Sequence, residues 1–159
     1  MSPLCQPWPV NEPTFRIATR ADLPAVLTLL ADDDIGRTRE TEASDARYWA
    51  AFEAIDADPR NELIVAEAGG EVVGTCQLTF TPSLSRGGSE RMTIEAVRIH
   101  SGLRGRGLGG DLIRWVLERG RERGCGLAQL TTDKRRADAH RFYDRLGFAA
   151  SHEGFKINL

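Results

Sequence analysis

Only three of the 159 residues are cysteines, Cys5, Cys76 and Cys125. They are scattered, odd in number and lack the spacing of a metal site. A disulfide framework is therefore excluded, no metal is expected, and the thiols read as reduced ones in a cytoplasmic protein. Apolar runs are short: none approaches the roughly 20 residues a membrane span needs, so no membrane partner is expected. Positive charge is not in excess, since 21 Lys+Arg stand against 23 Asp+Glu for a net charge of -2 and a pI of about 5.9. With no helix-turn-helix pattern either, nucleic acid is not expected as a partner. Met1–Pro13 lacks the basic start and apolar stretch of a secretory signal, and its four prolines block regular pairing.

Enough apolar residues remain, 41% against 28% charged, to fill one core in a chain of 17.5 kDa. The reading is a loose leader over 1–13 and one domain over 14–159. Charge is divided along it. Residues 1–95 hold 16 Asp+Glu and 8 Arg+Lys, whereas residues 96–159 hold 7 and 13. Such a split points to a cationic ligand for the first half and an anionic one for the second, or to halves that attract each other or a second subunit.

Thr14–Ala18 alternates like a short strand. Asp22 is placed to cap a helix with Pro24 in its first turn and Val26, Leu27, Leu29 and Leu30 on its buried face. Asp32-Asp33-Asp34 and Gly36 end it. A more polar helix follows over about 44–55, with Tyr48, Trp49 and Phe52 at helical spacing. Glu62–Ala68 and Glu71–Thr81 read as strands joined by Gly69-Gly70, a hairpin signal. Pro82–Gly88 is a turn and Arg91–His100 a third strand. A helix runs to about Arg123, followed by a strand over Leu127–Thr132 and a helix over Arg135–Leu146. Phe148–Ala149 and Phe155–Asn158 are expected to pair as a last hairpin. This order predicts an α/β (α+β) fold with one mixed, mostly antiparallel sheet flanked by helices on both faces.

The most informative stretch is Arg104-Gly105-Arg106-Gly107-Leu108-Gly109-Gly110, between a strand and a helix. Its glycines let successive N–H groups form a concave anion nest, and the helix that follows aims its positive end there. Arg104 and Arg106 carry charges suited to phosphate. A P-loop is rejected, because Asp111 and Leu112 stand where Lys and Ser/Thr belong. Gly105, Gly107 and Gly110 match a dinucleotide fingerprint literally, with Asp133 after the next strand, but too little chain follows for that fold. Arg104, Gly107 and Gly109 fit the Arg-x-x-Gly-x-Gly turn that holds the pyrophosphate of coenzyme A.

With this turn, the two-helix start, the strand meander and Ala139-His140-Arg141-Phe142-Tyr143-Asp144-Arg145-Leu146-Gly147-Phe148, the chain resembles the GNAT superfamily of acetyl-CoA-dependent N-acetyltransferases over roughly residues 14–158. The last segment is similar to the family's closing A-x-x-F-Y-x-x-x-G-F signature. The resemblance implies the GNAT-like acyl-CoA N-acyltransferase fold, acetyl-CoA as cofactor, and transfer of acetyl to a primary amine by direct attack in a ternary complex. It implies that the Tyr143 hydroxyl protonates the leaving thiolate, against a reading as core tyrosine beside Phe142 and Phe148. It implies that backbone N–H groups at Val97 and Ile99 bind the acetyl carbonyl, with a bulge freeing that edge. The family often carries Asn at the position of Arg136, so Arg136 is a candidate for a coenzyme A phosphate.

Two residues before Val97 on the same strand, Glu95 is expected on the same face and is the general-base candidate, acting through water and needing partial burial. The alternative is a cross-strand partner for an arginine. Asp32, Asp33 and Asp34, then Arg37, Arg39, Glu40 and Glu42, lie in the segment that the resemblance places over the acceptor cleft. The carboxylates suit an ammonium group; the arginines suit an acceptor bearing a carboxylate. His100, His140 and His152 receive no role. The acceptor is a small-molecule or peptide amine, with protein lysine also open. A homodimer is expected, through the 82–90 loop and the last hairpin. The alternative function is a non-catalytic acyl-CoA or nucleotide sensor; retention of Tyr143 and Glu95 favours the enzyme.

Overall fold

The computed structural model describes residues 12–34, 36–38 and 45–159. Most of the expected leader, Cys5, and Arg39, Glu40 and Glu42 of the acceptor segment lie outside the described residues. So does the expected start of the second helix at Ser44.

Five strands form one sheet in the order β1-β2-β3-β4-β5. They are β1 (Thr14–Ile17), β2 (Asn61–Ala68), β3 (Glu71–Thr81), β4 (Arg91–Ile99) and β5 (Leu127–Leu130). All neighbours are antiparallel except β4 and β5, which are parallel. β2 and β3 meet through a two-residue turn in which Gly69 and Gly70 have φ of 61° and 81°. Positive φ at both central positions gives the turn a twist that matches the strands, which is why two glycines stand there. The Pro82–Gly88 connection is a turn as expected, with left-handed backbone at Arg86 and Gly87.

Helices cover both faces. On one side α1 (Leu23–Ala31) and α2 (Ala46–Ala57) bury Leu23, Val26, Leu27 and Phe52 against Val65. On the other, α3 (Leu108–Glu122) seats Leu112, Ile113 and Val116 on Ile64, Cys76, Leu78, Phe80, Met92 and Ile94. The short α4 (Ala137–Arg145) adds Phe142 and Tyr143 to the rim of that second core.

Two local expectations are corrected. The Asp22 side chain does not cap α1: its carboxylate takes the Thr19 N–H at 2.7 Å and two bonds from Arg16, closing a 3-10 turn ahead of the helix. The last hairpin does not form. Residues after Gly147 carry no strand, and Phe155, Ile157 and Leu159 are exposed. Alternation over three or four residues is too weak a signal to secure pairing where no core waits for one face.

Candidate active site

The sheet opens on the β4 side of β5. Pairing runs only from Arg91–Ile94 against Leu127–Leu130. β4 continues to Ile99, and past Ile94 no strand of the described residues meets that edge. At the same place β4 bulges. Gln77 faces Glu95 and Thr75 faces Arg98, so Cys76 stands opposite two residues, and Ala96 takes φ 52°. The expected bulge is therefore present.

It also reverses the expected position of Glu95. Glu95 shares its face with Gln77 and Thr75, whereas Val97 joins Cys76 and Leu78 on the α3 side. An extra residue breaks the two-residue period, so Glu95 and Val97 point to opposite faces. The Glu95 side chain is exposed, without the partial burial expected of it, and makes no ion pair among the described residues, with an arginine or otherwise. The carbonyls of Val97 and Ile99 are engaged by Arg98 Nη1 at 2.9 Å and Arg104 Nε at 3.1 Å.

Beyond β4, a 3-10 turn over Ser101–Leu103 leads into the glycine segment, its first turn fixed by the Gly102 N–H donating to His100 Nδ1. Gly105 and Gly107 adopt φ of 77° and 90°, and a β-carbon on either meets nothing within 4 Å. Their need for glycine is conformational, and the space above them is open. The first helical bond of α3 runs from the Asp111 N–H to the Gly107 carbonyl. The amides of Leu108, Gly109 and Gly110 therefore have no carbonyl within the helix. Gly109 brings α3 close to its neighbours: a β-carbon there would lie 3.4 Å from Phe142 Cζ and 3.6 Å from Ile99 Cγ1. Leu108 buries its side chain with Ala66, Val73 and Leu103, leaving its amide for the turn.

Arg106 is exposed and has no ion pair among the described residues. Arg104 differs from expectation: its guanidinium donates to the Ile99 carbonyl and, at 2.7 Å, to the Asp32 carbonyl, fastening the turn to the end of α1. Two of the acidic trio are likewise spent within the protein. Asp32 accepts the Ser101 N–H at 2.8 Å and lies 3.8 Å from Arg104. Asp33 accepts the Gly36 N–H and pairs with Arg98 at 3.3 Å and Arg136 at 2.5 Å. Partial burial works against the charge on Asp33, but those donors outweigh it and hold its carboxyl below the usual range. Asp34 alone projects into solvent, 3.5 Å from Arg37. Arg136, expected on a cofactor phosphate, turns to Asp33 instead.

Tyr143 packs edge-on to Phe142 and Phe148, with ring centroids 5.0 and 5.6 Å away, and contacts the core that Val97 and Ile99 also meet. Its hydroxyl makes no hydrogen bond among the described residues. Burial, then the neighbouring Cys76, push its phenol above the ordinary value, while Arg98 and Arg136 pull the other way. At neutral pH the phenol keeps its proton. Arg98 has no role in the sequence-based expectations, although a charged residue between Val97 and Ile99 in an otherwise apolar stretch is a signal.

An anion nest with open space above it, an exposed arginine beside it and an unpaired strand edge running toward a protonated phenol suit a pyrophosphate and the extended arm that follows it. These residues fit coenzyme A, and fold and cleft together define an acyl-CoA-dependent acyltransferase.

The comparisons agree. The sequence model of the acetyltransferase (GNAT) family matches residues 23–148, and the chain belongs to that family. It is 31% identical over 141 residues to the aminoalkylphosphonate N-acetyltransferase of Salmonella typhimurium, covering 89% of this chain and 88% of that one. A Bacillus halodurans C-125 structure described as a transcriptional regulator superposes with a TM-score of 0.90 at 53% identity, over 93% of this chain and all of that one, 100%. A putative acetyltransferase from Agrobacterium tumefaciens C58 gives 0.83 at 29% identity, over 92% and 99%. The protein is an acyltransferase enzyme and acetyl-CoA is its cofactor. No helix among the described residues is long and apolar enough to cross a membrane.

Proposed function

We propose that the chain acetylates a primary amine by direct attack in a ternary complex, within a domain spanning 14–159. The observation that carries this reading is the unpaired stretch of β4, flanked by the glycine turn and by the phenol of Tyr143. Acetyl-CoA supplies the acetyl group as an activated thioester. The amides of Gly105, Gly107, Leu108, Gly109 and Gly110, with Arg106 and the exposed part of Arg104, hold the pyrophosphate. Backbone N–H groups at Val97 and Ile99 orient the acetyl carbonyl. Glu95, on the opposite face, receives the ammonium proton through water, and Tyr143 holds a proton at its phenol oxygen for the departing sulfur. Asp34 and Arg37 remain at the acceptor's approach, while Asp32 and Asp33 position the loop that carries them.

The aminoalkylphosphonate relative supports a small-molecule acceptor over a peptide. Reduced Cys76 and Cys125 support a cytoplasmic location. A homodimer is supported by Leu84 and the tail residues Phe155, Ile157 and Leu159, exposed on the two segments expected at the contact. Calorimetry with acetyl-CoA and free-thiol release against a panel of amines test the reading. We expect micromolar affinity, on the order of -7 to -8 kcal/mol, and turnover with a primary amine. Binding without turnover on any amine would overturn transfer and leave a sensor.

A further inference from the structure

Opposite Glu95 in the β3–β4 register stands Gln77. Directly opposed positions bring their Cβ atoms about 4.5–5.5 Å apart, so two long side chains there can converge on one point. Gln77 shares this face with Leu63, on the side of α1 and α2, and is half-buried, whereas Glu95 reaches solvent. No hydrogen bond among the described residues joins the two side chains.

The Gln77 amide has a fixed polarity. Asp58, in the turn that ends α2, accepts the Arg60 N–H at 2.9 Å with Oδ1 and Asn61 Nδ2 at 3.0 Å with Oδ2. An ionised carboxylate only accepts, so Asn61 gives its NH2 to Asp58 and turns its carbonyl the other way. That carbonyl takes the Thr79 hydroxyl at 3.0 Å and Gln77 Nε2 at 3.4 Å. Gln77 thus offers its own NH2 to Asn61, and Oε1 is left as the end of the chain. Gln129 and Thr93, the next polar pair on this face, satisfy each other at 3.1 Å. Gln77 Oε1 and the Glu95 carboxylate remain as two acceptors on adjacent strands, without a donor among the described residues.

Two acceptors so placed suit one water that gives a hydrogen to each and turns its lone pair toward the acceptor amine. The geometry points to Gln77 as the positioning residue for that water, with Asn61 and Asp58 fixing the way its amide faces. This rests on the reading of Glu95 as the base. In the step, a proton leaves the ammonium for the water oxygen, and the water passes one of its own protons to a Glu95 oxygen. The amine and Glu95 both become neutral, and the water is regenerated. A reversed Gln77 amide would present N–H to the water oxygen and occupy the lone pair that the ammonium needs.

The test follows free-thiol release with whichever of ethanolamine, β-alanine and 2-aminoethylphosphonate the unaltered protein acetylates fastest. Gln77→Met keeps the length and removes the carbonyl. It should lower kcat about tenfold, the size of one hydrogen bond, with KM for acetyl-CoA and the melting temperature held. Gln77→Glu restores an acceptor oxygen and should recover part of the loss. Asn61→Leu frees the amide to turn and should fall between Gln77→Met and the unaltered protein. The loss should narrow as pH rises toward about 10, where a primary ammonium gives up its proton unaided. In a Glu95→Gln background Gln77→Met should cost less than about twofold, because the water then has no base to serve. Full turnover by Gln77→Met would overturn the placement and leave acetyl transfer standing. So would a loss that is constant across pH and additive with Glu95→Gln, or one that follows a fall in melting temperature and is not recovered by Gln77→Glu. Full activity of Glu95→Gln alone would overturn the reading of Glu95 as base, and the relay with it. No thiol release by the unaltered protein with any of the three amines would overturn transfer to a small primary amine, and the relay with it.

Discussion

Glu95 and Val97 stand two positions apart on β4 and point to opposite faces of the sheet. The bulge at Ala96 thereby separates a side chain on one face from the strand edge proposed to orient the acetyl carbonyl. Replacing Glu95 by Gln removes the proposed proton acceptor and keeps the shape. Turnover should fall roughly 10²-fold or more. Because the side chain is exposed, the melting temperature should hold. Activity near that of the unaltered protein would hand the base role to a water chain.

Tyr143→Phe deletes one hydroxyl and leaves the ring between Phe142 and Phe148. Turnover should drop roughly 10²-fold, or about 2.7 kcal/mol of transition-state stabilisation. Acetyl-CoA affinity by calorimetry should change little. A loss of activity that merely follows unfolding in a thermal melt would reduce Tyr143 to a packing residue.

Gly107→Val forces a β-branched side chain onto φ 90°. The strain should cost about 1–2 kcal/mol of stability in urea unfolding. It should also disturb the nest enough to weaken acetyl-CoA at least tenfold in calorimetry. Binding as tight as that of the unaltered protein would remove the turn from the cofactor site.

Asp22 sets part of the acid stability. Arg16 first, with the Thr19 N–H, lowers its carboxyl from 3.8 to about 2, against the opposing effect of burial. A value lowered in the folded state means the stabilisation is complete above about pH 3.8 and lost as pH falls through about 2. Asp22→Asn should therefore cost about 2 kcal/mol at pH 7. In urea titrations the gap between variant and parent should narrow below pH 4. A gap independent of pH would show that the carboxylate charge contributes nothing.

Much of this was legible in the chain. Gly69-Gly70 between alternating runs placed the β2–β3 hairpin, and the ends of β3 were read to the residue. The glycine turn was legible because positive φ and free helix amides are local demands. The reading failed where partners are distant. Nothing near Asp33 announces Arg98 or Arg136, which lie 65 and 103 positions away, so three adjacent carboxylates looked available when two were already paired. Glu95 was misplaced for a related reason: the bulge was foreseen, but its effect on parity depends on which strand carries the extra residue. The last hairpin was misread because its apolar alternation had no tertiary support.

The short pairing of β5 makes the protein a sheet with its final ladder incomplete, so cofactor supply and folding are linked. A ligand at a hundred times its dissociation constant adds about 2.7 kcal/mol to stability. That gain would concentrate in the second half of β4, where amide exchange with solvent is slowed by whatever lies along the strand. The loaded protein would then outlast the bare one against proteolysis, and its lifetime in a cell would rise and fall with the acetyl-CoA pool.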